Sequence, residues 1–477
     1  MKKEKKVKIK KEKNTKGKTL KEKKDKTKTI REKDKTLSKA KIQEEKNKKV
    51  LEKIEEYNNN GKRTIAIFCD AYYPVVDGVI KVFENQAMLL SKNNNVIVCV
   101  PKHKNKLHED DRPYLVLGSG SIQVSSVGYD YALPAFDAFF NKAINKARID
   151  IVHLHSPFTM GSFATTLAKK RKIPCIGTFH SEYKTDFYKA TKNKSLTQLL
   201  VNGVASIFNK CDIVCTMNPY AASVLKDYGY KGEFEIIPNS TGFKVREDIE
   251  EEKEKIRNEF GITEEHHVFS YLGRLVLPKQ ILFIADVMKR LKENGIKLKM
   301  IYIGKGVDGG KLKKRIAENG LTDDVILTGS VTDEVYKSAL LGISELFIFP
   351  SMYDTDGIVK IEAACAKVPT ICIKGTGASS VLTDNVNGYI TEFDLDIFTN
   401  RILEIIKDKE RMRQVGEQAF KDLYVTWEEI VERIEKVYDE QIEKMLIKKL
   451  NKARAKVQKA RALKEKNLKK EKKAENK

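Results

Sequence analysis

The chain is 477 residues long, room for two or three domains with cores of their own, and its formal charge is +24. That excess sits at the ends: residues 1–60 carry 24 basic and 11 acidic side chains, residues 441–477 carry 15 and 4, and residues 61–440 carry 51 of each. A neutral body whose basic appendages are interleaved with acids and nearly free of aromatics argues against a cationic groove with stacking platforms, so nucleic acid is not an expected partner.

Residues 1–60 are mostly Lys, Glu, Asp and Thr, too poor in apolar side chains to bury a core, and a disordered or partly helical basic tail is expected there. From Thr64 the texture changes to short apolar runs separated by stretches with helical spacing, such as Phe83, Ala87 and Leu90. Thr64–Cys69, Val96–Val100, Ile151–His155, Pro174–Thr178 and Ile213–Thr216 read as buried parallel strands of a first domain, residues 61–243. After the charged stretch Glu247–Glu265 the pattern restarts. Val268–Gly273, Met300–Gly304, Val325–Leu327, Leu346–Pro350 and Thr370–Ile373 are the expected strands of a second domain, residues 244–426. Two successive βαβ series predict an α/β protein of two doubly wound, Rossmann-like domains facing a cleft, with ligands at the carboxyl ends of the strands. Charge divides unevenly between the lobes, +8 over residues 61–230 and −8 over residues 231–440, so the first is the one expected to face an anionic surface.

Residues 427–477 read as a helix ending in a basic amphipathic tail. Ile442, Leu446, Leu450, Ala453, Val457, Ala460 and Leu463 recur at spacings of three and four, one narrow apolar stripe on a Lys-rich cylinder. Such a helix suits an anionic membrane surface or stays solvated, and both readings stand at this stage. No apolar run reaches the ~18 residues of a membrane span. Seven cysteines, odd in number and without framework spacing, behind no signal peptide, read as reduced core thiols of a cytoplasmic protein.

The strongest local motif is the run from Pro350 to Ala364, with Asp354, Asp356, Gly357, Ile358, Val359 and Glu362 between strand and helix. Backbone N–H groups at the helix start can hold a phosphate, Gly357 lets a ligand come close, and Glu362 can accept hydrogen bonds from ribose hydroxyls. Asp354 and Asp356 could alternatively be plain helix caps. Gly273, Arg274 and Lys279 form a second strand-end motif, whose two cations could alternatively be a plain surface pair. In the first domain Tyr73, Asp77 and Gly78 follow the first strand, His153 and His155 end another, and Thr178-Phe179-His180 ends a third. His153 and His155 by themselves read as satisfied histidines rather than a metal pair.

Together these motifs resemble family 4 glycosyltransferases, whose fold is the two-Rossmann GT-B architecture. Asp354 and Glu362 match the family's E-x7-E signature, Arg274 and Lys279 its cation pair, and Gly78 its glycine loop. His153–Pro157 matches its H-x-H strand end, and Pro238-Asn239-Ser240 its hinge turn. The resemblance covers about residues 62–440 and is nearest the diacylglycerol glucosyltransferase branch. It departs at Asp354 for Glu, Pro278 for Glu, Lys367-Val368 for a Gly before Pro, and Ser240 for the hinge Gly.

The resemblance implies a retaining hexosyl transfer from a nucleotide diphosphate sugar, UDP-glucose first among them, to a lipid or glycan hydroxyl such as that of diacylglycerol. It implies no metal and no cofactor beyond the donor. Catalytic roles fall to His180, Arg274, Lys279 and Asp354. Donor contacts fall to Gly78, Gly273, Arg274, Lys279, Asp356, Gly357, Ile358, Val359 and Glu362, and the acceptor side to Tyr73, Asp77 and His155. The basic tails would bring the enzyme to the inner, anionic face of the cell membrane.

Overall fold

The computed structural model describes residues 41–73, 78–102, 112–124, 129–246 and 248–475. The expectations for residues 1–40 and for Asp77 lie outside these. Two compact units emerge. Of the described residues, one takes in 41–62 and 135–148, and the other takes in the rest. In the smaller unit a helix over 41–59 and the helix Ala138–Lys146 are tied by Asn58, whose Nδ2 donates to the Lys146 carbonyl at 3.0 Å, and by a 2.8 Å Lys146–Glu55 pair.

The larger unit is built on two parallel sheets. The first holds β1 (Thr64–Phe68), β2 (Asn95–Pro101), β3 (Leu115–Ser119), β6 (Ile151–Leu154), β7 (Cys175–Phe179), β8 (Ile213–Thr216) and β9 (Phe234–Ile236). Their order is β3-β2-β1-β6-β7-β8-β9. A short antiparallel hairpin, β4 (Ser121–Val124) and β5 (Tyr129–Ala132), stands apart. The second sheet holds β10 (His267–Leu272), β11 (Leu298–Ile303), β12 (Val325–Gly329), β13 (Leu346–Phe349), β14 (Thr370–Ile373) and β15 (Tyr389–Thr391), ordered β12-β11-β10-β13-β14-β15. Every strand the sequence foretold is present. The short edge strands β3, β9 and β15 were not foretold; β9 and β15 lack the continuous apolar run of a strand buried on both faces.

Strand order fixes where ligands can bind. Each domain winds outward from its first strand, then jumps back across it, so the order reverses between β1 and β6 and again between β10 and β13. At such switch points adjacent strands send their loops to opposite sides and open a crevice. The sequence motifs sit on these loops or the next strand: Tyr73 and Gly78 after β1, His155 after β6, His180 after β7, Arg274 and Lys279 after β10, Asp354 and Gly357 after β13.

The helix Trp427–Glu475 returns to the first domain. Trp427, Ile430, Val431, Ile434, Val437 and Tyr438 join the core made by β1, β2 and the helix Gly78–Leu90, and Arg63 pairs with Glu435 at 3.2 Å. Farther along, Leu446, Leu450, Val457 and Leu463 are exposed. No helix among the described residues is long and apolar enough to cross a membrane. All seven cysteines are free thiols, six of them buried. At Lys367, one of the departures noted above, the chain takes a left-handed φ of 58°, a conformation that glycine would adopt without a Cβ clash.

Candidate active site

A cavity of about 430 Å³ lies between the two switch points, within the usual range for a small-molecule site. From the first domain Gly78 and His180 line it; from the second, Arg274, Lys279, Asp354, Asp356, Gly357, Ile358 and Val359. Sequence reasoning thus brought nine of its candidates to one surface.

The two cations differ. Val276 leads into a 3-10 turn, Leu277–Lys279, in which Pro278 fits an early position where its missing N–H is not needed. That turn carries Lys279 inward, where its Nζ donates to both carboxylate oxygens of Asp354 at 2.7 and 2.8 Å. Ser351 Oγ also donates to Asp354. Arg274 is exposed, and its guanidinium has no ion-pair partner among the described residues. The cavity therefore presents one cation without an ion-pair partner among the described residues and one already holding a carboxylate.

Gly357 has a different reason to be glycine from the one expected. Its φ is +74°, and a Cβ there would fall 2.6 Å from the Phe349 ring, so the fold beneath demands it as much as any ligand above. The turn at Gly377 packs as tightly: a Cβ there would stand 2.1 Å from the Thr355 carbonyl oxygen. The following helix runs Val359–Cys365, which puts Glu362 in its first turn.

Asp356 is spent on the protein itself. Its Oδ1 takes a 2.7 Å bond from Lys360 Nζ, on a lysine only 1% exposed, and its Oδ2 takes a 2.8 Å bond from Asn239 Nδ2. Asn218 Nδ2, from the first domain, donates to the Thr355 carbonyl at 2.9 Å and reaches Asp356 Oδ1 at 3.4 Å. Nearby, the Glu182 N–H donates to Thr355 Oγ1 at 3.3 Å, and Tyr353 OH donates to Asp186. Ser240, in place of the hinge glycine, donates to the Val425 carbonyl. Sequence reasoning missed Lys360 and Asn218. Lys360 lies four residues after Asp356, the helical ion-pair spacing, and that signal was available.

Glu362 is not among the residues that line the cavity; it accepts from Thr241 Oγ1 at 3.2 Å, with Lys337 Nζ at 3.9 Å. Burial pushes its carboxyl above the ordinary carboxylate range, against the pull of Lys337 and Thr241. Gly273 follows β10 with φ +150° and places Arg274 without lining the cavity itself. Tyr73 does not line it either: its OH donates to Glu84, and the Arg112 guanidinium lies 5.1 Å from its ring centroid. His155 is 1% exposed and lies behind His180, its Nδ1 2.9 Å from His180 Nε2. His153 is bound on both sides, Nδ1 to Tyr438 OH and Nε2 to Thr178 Oγ1, each at 2.7 Å. Burial pushes His153 down to about 3 and His180 to about 4, and holds His155 well below the ordinary range, so all three rings are neutral at pH 7. Among the described residues no three His, Cys, Asp or Glu side chains gather in a metal-like group.

Two doubly wound sheets with facing switch points, one of which offers a cation pair, have the architecture of the GT-B class of glycosyltransferases. Comparison with known proteins agrees. Residues 252–422 match the family described as Glycosyl transferases group 1, and residues 76–241 match Glycosyltransferase Family 4. The chain is 26% identical to the alpha-monoglucosyldiacylglycerol synthase of Acholeplasma laidlawii, over 73% of this chain and 88% of that one. It is also 26% identical to the enzyme of the same name from Streptococcus pneumoniae, over 69% and 76%. Among solved structures, Anabaena Alr3699/HepE in complex with UDP superposes with a TM-score of 0.64 at 16% identity, covering 79% of this chain and all of that one. Sucrose-phosphate synthase from Thermosynechococcus elongatus superposes at 0.63 and 17% identity, over 80% and 99%. The chain belongs to the family 4 glycosyltransferases.

Proposed function

We propose that this protein transfers glucose from UDP-glucose, with retention of anomeric configuration, to the free hydroxyl of diacylglycerol. The observation that carries the reading is the grouping of Arg274, Lys279 and Asp354 on one wall of the cavity with His180 on the other. Similarity to two alpha-monoglucosyldiacylglycerol synthases supports the sugar and the lipid. Arg274 and Lys279 stabilise the departing diphosphate, as fixed charge must where negative charge develops. Asp354, released from Lys279 by the phosphates, and His180 hold the sugar. The acceptor hydroxyl attacks from the face the diphosphate leaves, and its proton passes to a departing phosphate oxygen. The donor is a substrate, and the reaction as proposed uses no metal.

The test is purified full-length protein with UDP-glucose and mixed micelles of diacylglycerol. Release of UDP together with an α-linked glucosyl lipid, read from the anomeric proton coupling, is expected. A β-linked product would overturn retention, and no turnover with any nucleotide sugar would overturn the enzyme reading.

Glu362 is assigned the ribose hydroxyls. Its raised pKa means that the folded state holds the proton more tightly than the unfolded chain does. The stability it contributes is therefore fully present below the ordinary carboxylate pKa and is lost as pH rises through the raised folded-state value. Glu362→Gln should then be more thermostable than the parent at pH 7.5, with the difference shrinking toward pH 4. It should bind UDP roughly 10–100-fold more weakly, the worth of charge-assisted hydrogen bonds. Calorimetric titration and thermal unfolding across pH check both.

The basic C-terminal helix, with Leu446, Leu450, Val457 and Leu463 exposed along it, is assigned to anionic lipid. Full-length protein should co-sediment with phosphatidylglycerol vesicles several-fold better than residues 41–445, and high salt should erase the difference. Equal binding by both would remove the helix from the proposal.

A further inference from the structure

We propose that His155 is a positioning residue that sets the tautomer of His180, so that His180 turns an N–H toward the cleft. The inference rests on the glycosyl-transfer reading for its consequence, but not for its geometry. His155 and His180 directly follow neighbouring strands, β6 and β7, and their rings lie nearly parallel, 5.2 Å between centroids and 18° between planes. His155 Nδ1 and His180 Nε2 stand 2.9 Å apart and share one hydrogen bond. Only His180 lines the cavity.

Both rings are neutral because burial disfavours the charged form, so that hydrogen bond contains one proton and has two possible arrangements. With the proton on His155 Nδ1, His155 Nε2 is a bare lone pair, and His180, accepting at Nε2, carries its own proton on Nδ1. With the proton on His180 Nε2, His155 must carry its proton on Nε2 and His180 Nδ1 is bare. The deciding atom is His155 Nε2, which is buried and has no hydrogen-bond partner among the described residues. The neighbouring rings cannot supply one. His153, 4.3 Å away between centroids, has both nitrogens committed to Tyr438 and Thr178, and Phe83, at 5.7 Å, is apolar.

A buried N–H without an acceptor is rarer and costlier than an under-satisfied acceptor. That outweighs the modest preference of an imidazole for a proton on Nε2. The first arrangement is therefore the stable one. His180 then meets substrate as a hydrogen-bond donor, able to grip a sugar hydroxyl oxygen or a phosphate oxygen. It is not the base that takes the acceptor's proton, and a ring whose pKa is pushed down to about 4 would be a weak base in any case. His155, placed by the sequence reading on the acceptor side, acts here only through His180.

The experiment is a long-range proton–nitrogen correlation spectrum of full-length protein labelled with 15N-histidine, at pH 7.5. His180 is expected to show a protonated Nδ1 and a bare Nε2. His155→Leu, which removes the donor, should move His180 to a mixture of tautomers and lower kcat on the order of tenfold, with KM for the sugar donor within about twofold. His155→Asn keeps an N–H near the Nδ1 position and should restore both the spectrum and most of kcat. A wild-type His180 protonated at Nε2 overturns the proposal, as does a folded His155→Leu protein with an unchanged His180 spectrum. If His155→Leu does not fold, the wild-type spectrum decides alone. Because the spectrum needs no turnover, loss of the glycosyl-transfer reading would appear separately, as an inactive protein with the expected tautomer.

Discussion

Lys279→Ala is expected to lower kcat/KM for the sugar donor by roughly 10²–10³-fold, the range seen when a fixed group aimed at developing charge is removed. Most of that loss should be in kcat, because the diphosphate carries more negative charge as it departs than while it is bound in the sugar. The change has a second consequence, which comes from Asp354. Asp354 takes both its charge-assisted bonds from Lys279, on a lysine and a carboxylate whose side chains are 13% and 20% exposed. Without Lys279 the carboxylate keeps Ser351 as its described hydrogen-bond donor and faces the phosphates as a like charge. Lys279→Ala/Asp354→Asn should therefore bind UDP more tightly than Lys279→Ala alone, by about tenfold, while remaining as slow in turnover. Arg274→Ala provides the contrast. Its guanidinium pairs with nothing in the described protein, so UDP affinity should fall without change in thermal stability. Calorimetry with UDP and steady-state kinetics on the parent and these variants check the expectations. Equal UDP affinity of the single and double Lys279 variants would show that Asp354 does not confront the phosphates.

What was legible in the sequence follows from how strongly each feature is forced. Strands buried on both faces read as unbroken apolar runs, so the strands Thr64–Phe68, Asn95–Pro101 and Leu346–Phe349 announced themselves. The order of the two βαβ series then located the switch points, and with them nine cavity residues. Two-body arrangements far apart in sequence were not legible. Nothing in the sequence tells that Tyr438, on the last helix, reaches His153, or that Asn218 reaches across to Thr355. The amphipathic pattern of the last helix announced a stripe, but its first turns, from Trp427 to Tyr438, prove to be core of the first domain. Asp356 shows the limit most clearly. By motif it belonged with the donor ligands; by geometry each of its oxygens already has a protein donor.

Asp356→Ala should accordingly be the most destabilising single change at the site, by about 3–5 kcal/mol, because it strands an ammonium in the interior. Lys360 Nζ would keep only the carbonyl of residue 356, on a side chain 1% exposed. Removing one partner of a buried pair leaves its charge desolvated and unanswered, whereas replacing both by apolar groups is often neutral. A Tm drop on the order of 10 °C is expected for the single variant, and most of it should return in Asp356→Ala/Lys360→Met. The double variant separates two roles that the carboxylate combines. Its ion pair to Lys360 lies within the second domain, while its bond to Asn239 and its approach to Asn218 join that domain to the turn at residues 238–240 and to the end of β8. An apolar side chain in place of Lys360 would repair the first and not the second. Asp356→Ala/Lys360→Met should therefore unfold near the parent temperature and yet lose hydrogen-exchange protection around residues 218 and 239. It should also bind UDP several-fold more weakly, because the cavity wall is no longer fastened across the cleft. If the double variant instead regains full nucleotide affinity and full protection, Asp356 serves Lys360 alone and the domains are held together by other contacts.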